Sequence, residues 1–327
     1  MMEIKTEDLR KALNTVWPGL DKDEIVFFTG QHLVTGNDQI IVHCPFVTDF
    51  TGGVNAGDLL KQLDAVSLPD VTISAQGKQL LIDSGNVSGG LKIANADQEI
   101  PFALPENCVW EKLPNDYKEA LKLCSFSAST DPSLGLLTCL NINSRNVLSS
   151  DNFRVSKYTF TKPVKNTYLL PLPVITKLLK FDPARVCQDK SFVHFELADL
   201  AIFSCRKAVG DYPKVMDLFA VTGETFELPK ELRDAVDSVE FMADNENPFE
   251  RFVTIETVDG KLRCGAENDR GWTNFVLDQT LDRDVKFRIN PAFLFEILDK
   301  VTTITLGPDK ALFETGKFKH VMALPES

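Results

Sequence analysis

Apolar residues recur at i, i+3, i+4 and i+7 in three places: Leu9, Ala12, Leu13 and Val16; Tyr117, Ala120, Leu121 and Cys124; Leu232, Ala235, Val236 and Val239. On a helix this spacing lines four side chains along one stripe, so each run predicts an amphipathic helix with one buried face. Their starts divide the chain into three near-equal parts. Thr6 and Asp8 supply a start signal for the first helix, and Pro229 stands at the head of the third. A second helix per part follows from the apolar pairs Leu59/Leu63, Ile175/Leu179 and Leu294/Leu298, with Pro173 and Pro291 at helix starts and Asn290 as an N-cap.

Between the helices lie stretches with strand character: Ile25–Phe28, Val71–Ser74, Phe192–Leu197, Phe252–Glu256 and Thr303–Leu306. Midway through each part a polar turn joins two strands, at Thr35–Ile41, Ser149–Val155 and Ala266–Trp272. Asn and Asp suit such turns because their side chains bond the local backbone. Helices, strands and turn recur in one order at nearly one period, which predicts three tandem copies of an α+β domain, bounded at 1–108, 109–222 and 223–327.

Composition narrows the class. With 327 residues, 43% hydrophobic, 25% charged and a mean hydropathy of −0.08, the chain reads as an ordinary folded protein. The N-terminus Met1-Met2-Glu3-Ile4-Lys5 has no signal-peptide core, and the apolar runs are short, so a cytoplasmic location with no membrane partner is expected. Seven cysteines occur singly with no CxxC and read as buried thiols, while four histidines are isolated, so neither a metal nor a cofactor is expected. The acidic pairs Asp21/Asp23 and Asp282/Asp284 read as solvated loop charges. No GxSxG, GxxxxGK[ST] or GxGxxG motif is present, which favours a binding protein over an enzyme. The net charge of −12 argues against a protein that grips DNA by its phosphates.

The middle and last thirds carry a resemblance. Val147-Leu148-Ser149-Ser150-Asp151-Asn152-Phe153-Arg154-Val155 is similar to the "ATDGHRLA" strand and turn of the bacterial-type DNA polymerase sliding clamp, the polymerase III beta subunit family. In the family's order follow Leu170–Leu179, which resembles its second-domain helix, and Phe203-Ser204-Cys205-Arg206 through Gly210-Asp211-Tyr212-Pro213, which resembles "F-S-x-L-x-x-G-x-F-P". Phe287–Leu294 resembles its "F-x-V-N" helix entry, and His320–Pro325 its terminal "V-M-P-M-R-L". Asn152 and Phe153 replace Gly-His, Ala323 replaces a proline, and Pro325-Glu326-Ser327 replaces the final Arg-Leu, as in a divergent member such as a phage-encoded one.

The resemblance implies a head-to-tail homodimer of three-domain chains, with helices lining a ring and antiparallel sheets outside. Such a processivity factor holds double-stranded DNA topologically, is placed there by a clamp-loader ATPase and tethers the replicative DNA polymerase. Topological linkage makes the acidic charge tolerable. Family positions put a pocket for Gln/Leu/Phe-rich partner peptides at Leu136, Ser150, Phe153, Arg154, Val155, Pro213, Leu218, Met322, Ala323 and Leu324. They put the dimer contact at Ile93, Phe241 and Met242. The six helices carry no net positive charge, so the DNA-facing candidates are individual cations: Arg10, Lys11, Lys118, Lys122, Lys177 and Lys180. The competing readings are a non-ring interaction scaffold and an α+β hydrolase without a recognisable motif.

Overall fold

The computed structural model describes residues 1–22, 24–94, 104–105, 108–247, 250–280 and 283–325. Asp23 and Asp282, one member of each acidic pair, lie outside the described residues. The first third runs β1 (Met2–Lys5), α1 (Thr6–Val16), β2 (Ile25–Thr29), β3 (His32–Gly36), β4 (Ile40–Pro45), β5 (Thr51–Asn55), α2 (Ala56–Ala65), β6 (Asp70–Gln76), β7 (Gln79–Asp83) and β8 (Ser88–Lys92). The second runs β9 (Glu111–Lys112), α3 (Tyr117–Ser125), β10 (Cys139–Ile142), β11 (Asn146–Ser150), β12 (Arg154–Thr159), β13 (Tyr168–Pro171), α4 (Leu172–Leu178), β14 (Pro183–Gln188), β15 (Phe192–Leu197) and β16 (Ile202–Arg206). The third runs β17 (Glu224–Glu227), α5 (Leu232–Val239), β18 (Val253–Val258), β19 (Lys261–Asn268), β20 (Gly271–Thr280), β21 (Lys286–Ile289), α6 (Pro291–Leu298), β22 (Thr303–Leu306), β23 (Lys310–Thr315) and β24 (Phe318–Ala323). Short 3-10 turns aside, the same order of strand, helix, four strands, helix and three strands occurs three times.

The twelve residues of the three helical stripes are all buried, none more than 4% exposed. Their second partners behave differently. Leu59 and Leu63 are both sealed, but Leu179 and Leu298 are only half-buried, because α4 and α6 are short and Leu178 and Ile297 take the inward positions. Asn290 caps α6 as expected, its side chain accepting from the Ala292 N–H at 3.0 Å. Thr6 does not cap α1: it is the first helical residue, and its hydroxyl donates to the Leu68 carbonyl instead. Pro229 lies one turn ahead of α5, its carbonyl accepting from the Leu232 N–H.

The chain packs as two compact units, 1–118 with 163–209, and 119–162 with 210–327. In the first, an eight-stranded antiparallel sheet has the order β5-β2-β3-β4-β16-β15-β14-β9, and a four-stranded sheet the order β1-β6-β7-β8. Strands of two different thirds meet at β4–β16, where Ile40 pairs with Cys205 and Val42 with Phe203. In the second unit β10-β11-β12-β24-β23-β22-β17 form one sheet and β20-β19-β18-β21 another. Here β12–β24 is the corresponding junction. Helix α1 packs on β3, β4 and α2, and α5 on β19, β20 and α6. Among the described residues no helix is long and apolar enough to cross a membrane.

Candidate functional site

The turn between β11 and β12 is built by its own side chains. Asp151 Oδ1 accepts from the Phe153 and Arg154 N–H groups at 3.2 and 3.1 Å, an Asx turn. Asn37 Oδ1 does the same for Gln39 and Ile40 in the first third, and Asn268 Oδ1 for Arg270 in the third. Asn152 takes a left-handed conformation, φ 78°, which explains why Asn can stand where the family motif has Gly. Ser150 Oγ closes the turn by donating to the Arg154 carbonyl at 2.9 Å.

From this turn β12 runs against β24, with Val155 opposite Val321 and Arg154 opposite Met322. Directly opposed residues share a sheet face and neighbours along a strand alternate, so Arg154 and Val155 point to opposite sides. On one face Val155 and Val321 join Leu148, Leu312, Val215 and Phe219 in an apolar cluster, against which Tyr212 and Val221 also pack. Ser150, opposite Val155, belongs to this face. The segment 210–219 borders it, leaving Pro213 and Leu218 exposed. Gly210 has φ 141°, and a Cβ there would come within 2.8 Å of Leu136 Cδ1, so a side chain would push the half-buried Leu136 aside. Ala323 N–H donates to the Phe153 carbonyl at 2.9 Å, and Leu324 N–H to the Asp309 carbonyl at 2.8 Å.

Arg154 and Met322 lie on the other face. The Arg154 guanidinium pairs with Asp151 at 2.7 Å and with Glu296, donates to the Phe126 carbonyl, and stacks 4.3 Å from the Phe293 ring centroid. It braces the turn against α6. Met322 is 1% exposed. Phe153 is 43% exposed, its ring 6.1 Å from that of Phe293. The expected pocket residues thus divide between an apolar face and its buttress.

Behind the buttress a buried hydroxyl chain, Ser149–Ser127–Ser156, ends at His320, whose Nδ1 is 2.7 Å from Ser156 Oγ. The pairing looks like a nucleophile and base, but Ser156 and His320 are fully buried and no carboxylate among the described residues orients the other imidazole nitrogen. Burial, with Arg154 and Lys300 nearby, holds this imidazole well below its ordinary range. It is a structural group.

Most cations proposed to face DNA are already engaged. Lys11 pairs with Asp199 and Lys118 with Asp182, both at 2.7 Å; Arg10 pairs with Asp64 and donates to the Leu63 carbonyl; Lys177 donates to the Pro18 carbonyl at 2.8 Å. Lys122 and Lys180 are exposed and make no ion pair among the described residues. Of the proposed dimer residues, Phe241 is 64% exposed, while Ile93 and Met242 are half-buried. Sequence reasoning missed Trp272 and Val276, 71% and 57% exposed on the edge strand β20. Their alternation along a strand was the available signal.

No family model matches this chain, and no curated protein does. Solved structures do. It is similar to the beta subunit of the DNA polymerase of Streptococcus pyogenes (18% identity, 99% of each chain, TM-score 0.84) and the DNA polymerase sliding clamp of Bacillus subtilis (15%, 99% of this chain and 98% of that one, 0.84). The DNA polymerase III subunit beta of Pseudomonas aeruginosa superposes over both full lengths at 14% identity, TM-score 0.86. At these identities the likeness shows the fold: the chain has the sliding-clamp fold over its whole length.

Proposed function

We propose that this chain is a DNA sliding clamp, a non-enzymatic processivity factor that closes around duplex DNA as a homodimer and tethers a polymerase. One observation carries the reading. In the repeat, β8, β16 and β24 are equivalent strands, as are β4, β12 and β20. Within the chain β4 pairs with β16 and β12 with β24, whereas β8 and β20 end their sheets. Open edges are a liability unless something pairs with them. A second copy placed by the same rule pairs its β8 with this β20 and its β20 with this β8, giving a heterologous contact that closes after two chains. Ile93 follows β8, and the Met242 carbonyl accepts from Asn268 Nδ2 at 3.1 Å in the turn that opens β20, which supports assigning Ile93, Phe241 and Met242 to this contact.

Six domains, three per chain at 1–108, 109–222 and 223–327, then enclose the DNA. The cations Arg10, Lys11, Lys118, Lys122, Lys177 and Lys180 face it, and a clamp-loader ATPase opens the ring. Partner peptides of the polymerase dock on the apolar face around Val155, with Leu136, Ser150, Phe153, Pro213, Leu218, Ala323 and Leu324 at its margins and Arg154 and Met322 supporting it. The solved sliding clamp of Pseudomonas aeruginosa bound to griselimycin supports a ligand site on this fold.

The test is topological. Loaded onto nicked circular DNA, the dimer should remain bound through moderate salt and leave when the circle is linearised; ordinary phosphate binding weakens with salt and ignores the cut. Equal retention on circle and line would refute the ring and leave the scaffold reading.

A further inference from the structure

The alternation that places Val155 on the apolar face carries Lys157 to the same side. Its ammonium lies 4.5 Å from the Phe219 ring centroid, at the margin of the apolar cluster. It is half-buried, and burial together with Lys319 holds it below the ordinary lysine range. Lys319 stands opposite on β24 and is ion-paired with Glu314. Lys310, on β23 opposite Ala323, is on this side too. Around the cluster this face therefore carries three cations and one committed carboxylate, in a chain whose net charge is −12. The bordering segment adds Asp211, Lys214 and Asp217, all exposed. Lys157 has no ion pair among the described residues.

An ammonium beside this buried cluster loses more of its water when a partner docks on the exposed side chains at its border, and that loss is unfavourable unless the partner brings a counter-ion. A carboxylate delivered there is attracted in a partly dry setting, where charge pairing is stronger than on open surface. We propose that the extended segment docking on this face carries a carboxylate side chain that pairs with Lys157, so that the site selects acidic-apolar peptides over neutral ones. The inference rests on the peptide-site reading above and names the chemistry of its partner.

The experiment uses the full-length protein and synthetic ten-residue peptides with a Leu-Phe anchor. Glu is placed at successive positions beside the anchor, and each peptide has a Gln counterpart. Calorimetric titration should find a position at which Glu binds at least tenfold tighter than Gln. Lys157→Met keeps the aliphatic stem on Phe219 and should bind the Glu and Gln peptides alike, and Lys157→Arg should restore the difference. An advantage that survives Lys157→Met, or Gln peptides that bind with no Glu preference anywhere, overturns the inference alone. If no anchored peptide binds at all, the site reading falls and takes the inference with it.

Discussion

His320 sits among Phe126, Phe313 and Phe318, at ring separations of 5.2 to 6.5 Å, and its Nδ1 shares a hydrogen bond with Ser156 Oγ. Protonating it would put a third positive charge near Arg154 and Lys300 inside the protein. In the unfolded chain an imidazole takes up its proton at about pH 6.5, whereas here the folded-state value is far lower. As pH falls below about 6.5 the unfolded state binds more protons than the folded one. The stability held by the neutral ring is therefore complete above that pH and is lost progressively below it. Urea unfolding at pH 6.5 and 5.5 should show wild type losing up to about 1 kcal/mol through this group. His320→Gln should lack that component of the pH slope, whatever its absolute stability. Equal slopes in both proteins would show that His320 does not carry the effect. His194, also pulled down by burial, remains in both and cancels.

At the scale of elements, β8 and β20 meet the same problem differently. β8 is a five-residue edge with two glycines, whereas β20 is ten residues long, exposes Trp272 and Val276, and packs against the 240–242 turn that carries the exposed Phe241. Such apolar exposure on a long edge supports the proposed dimer contact. Phe241→Asp should leave the monomer folded, since that side chain is mostly outside the fold, but put an unpaired charge into the closed contact. Sedimentation at micromolar concentration should give about twice 36.5 kDa for wild type and a single-chain mass for the variant. A wild-type monomer at every accessible concentration would remove the edge argument. The helical stripes were legible because a period of 3.6 is local, and so were the three Asx turns. The junctions β4–β16 and β12–β24 were not, because nothing in a strand's own residues names a partner more than 150 positions away. Direction along β12 was not read: Phe153, Arg154 and Val155 were all assigned to the proposed pocket, although a period of two turns Arg154 toward α6. Lys157, one alternation further along, escaped notice because the family positions stop at Val155.

For the whole molecule, charge decides how DNA would be held by the clamp proposed above. A chain with 47 carboxylates and 35 basic residues gains little from phosphates, and the pairing pattern reduces the gain further. Lys11, Lys118, Arg10 and Lys177 would each have to leave a carboxylate or carbonyl to reach DNA, exchanging one partner for another. Among the described residues, Lys122 and Lys180 alone of the six have no such partner to give up. The salt dependence of binding counts the phosphates neutralised, with a slope near −0.9 per contact in log K against log salt. On a short linear duplex, which a ring cannot retain topologically, each copy of the chain should therefore contribute a slope of about −2. Fluorescence anisotropy over a salt series measures it. Lys122→Glu with Lys180→Glu should bring the slope close to zero while leaving the dimer mass unchanged. A slope of about −5 or steeper per chain would mean that the paired cations also reach the phosphates, and the assignment of DNA contact to the two free lysines would fail.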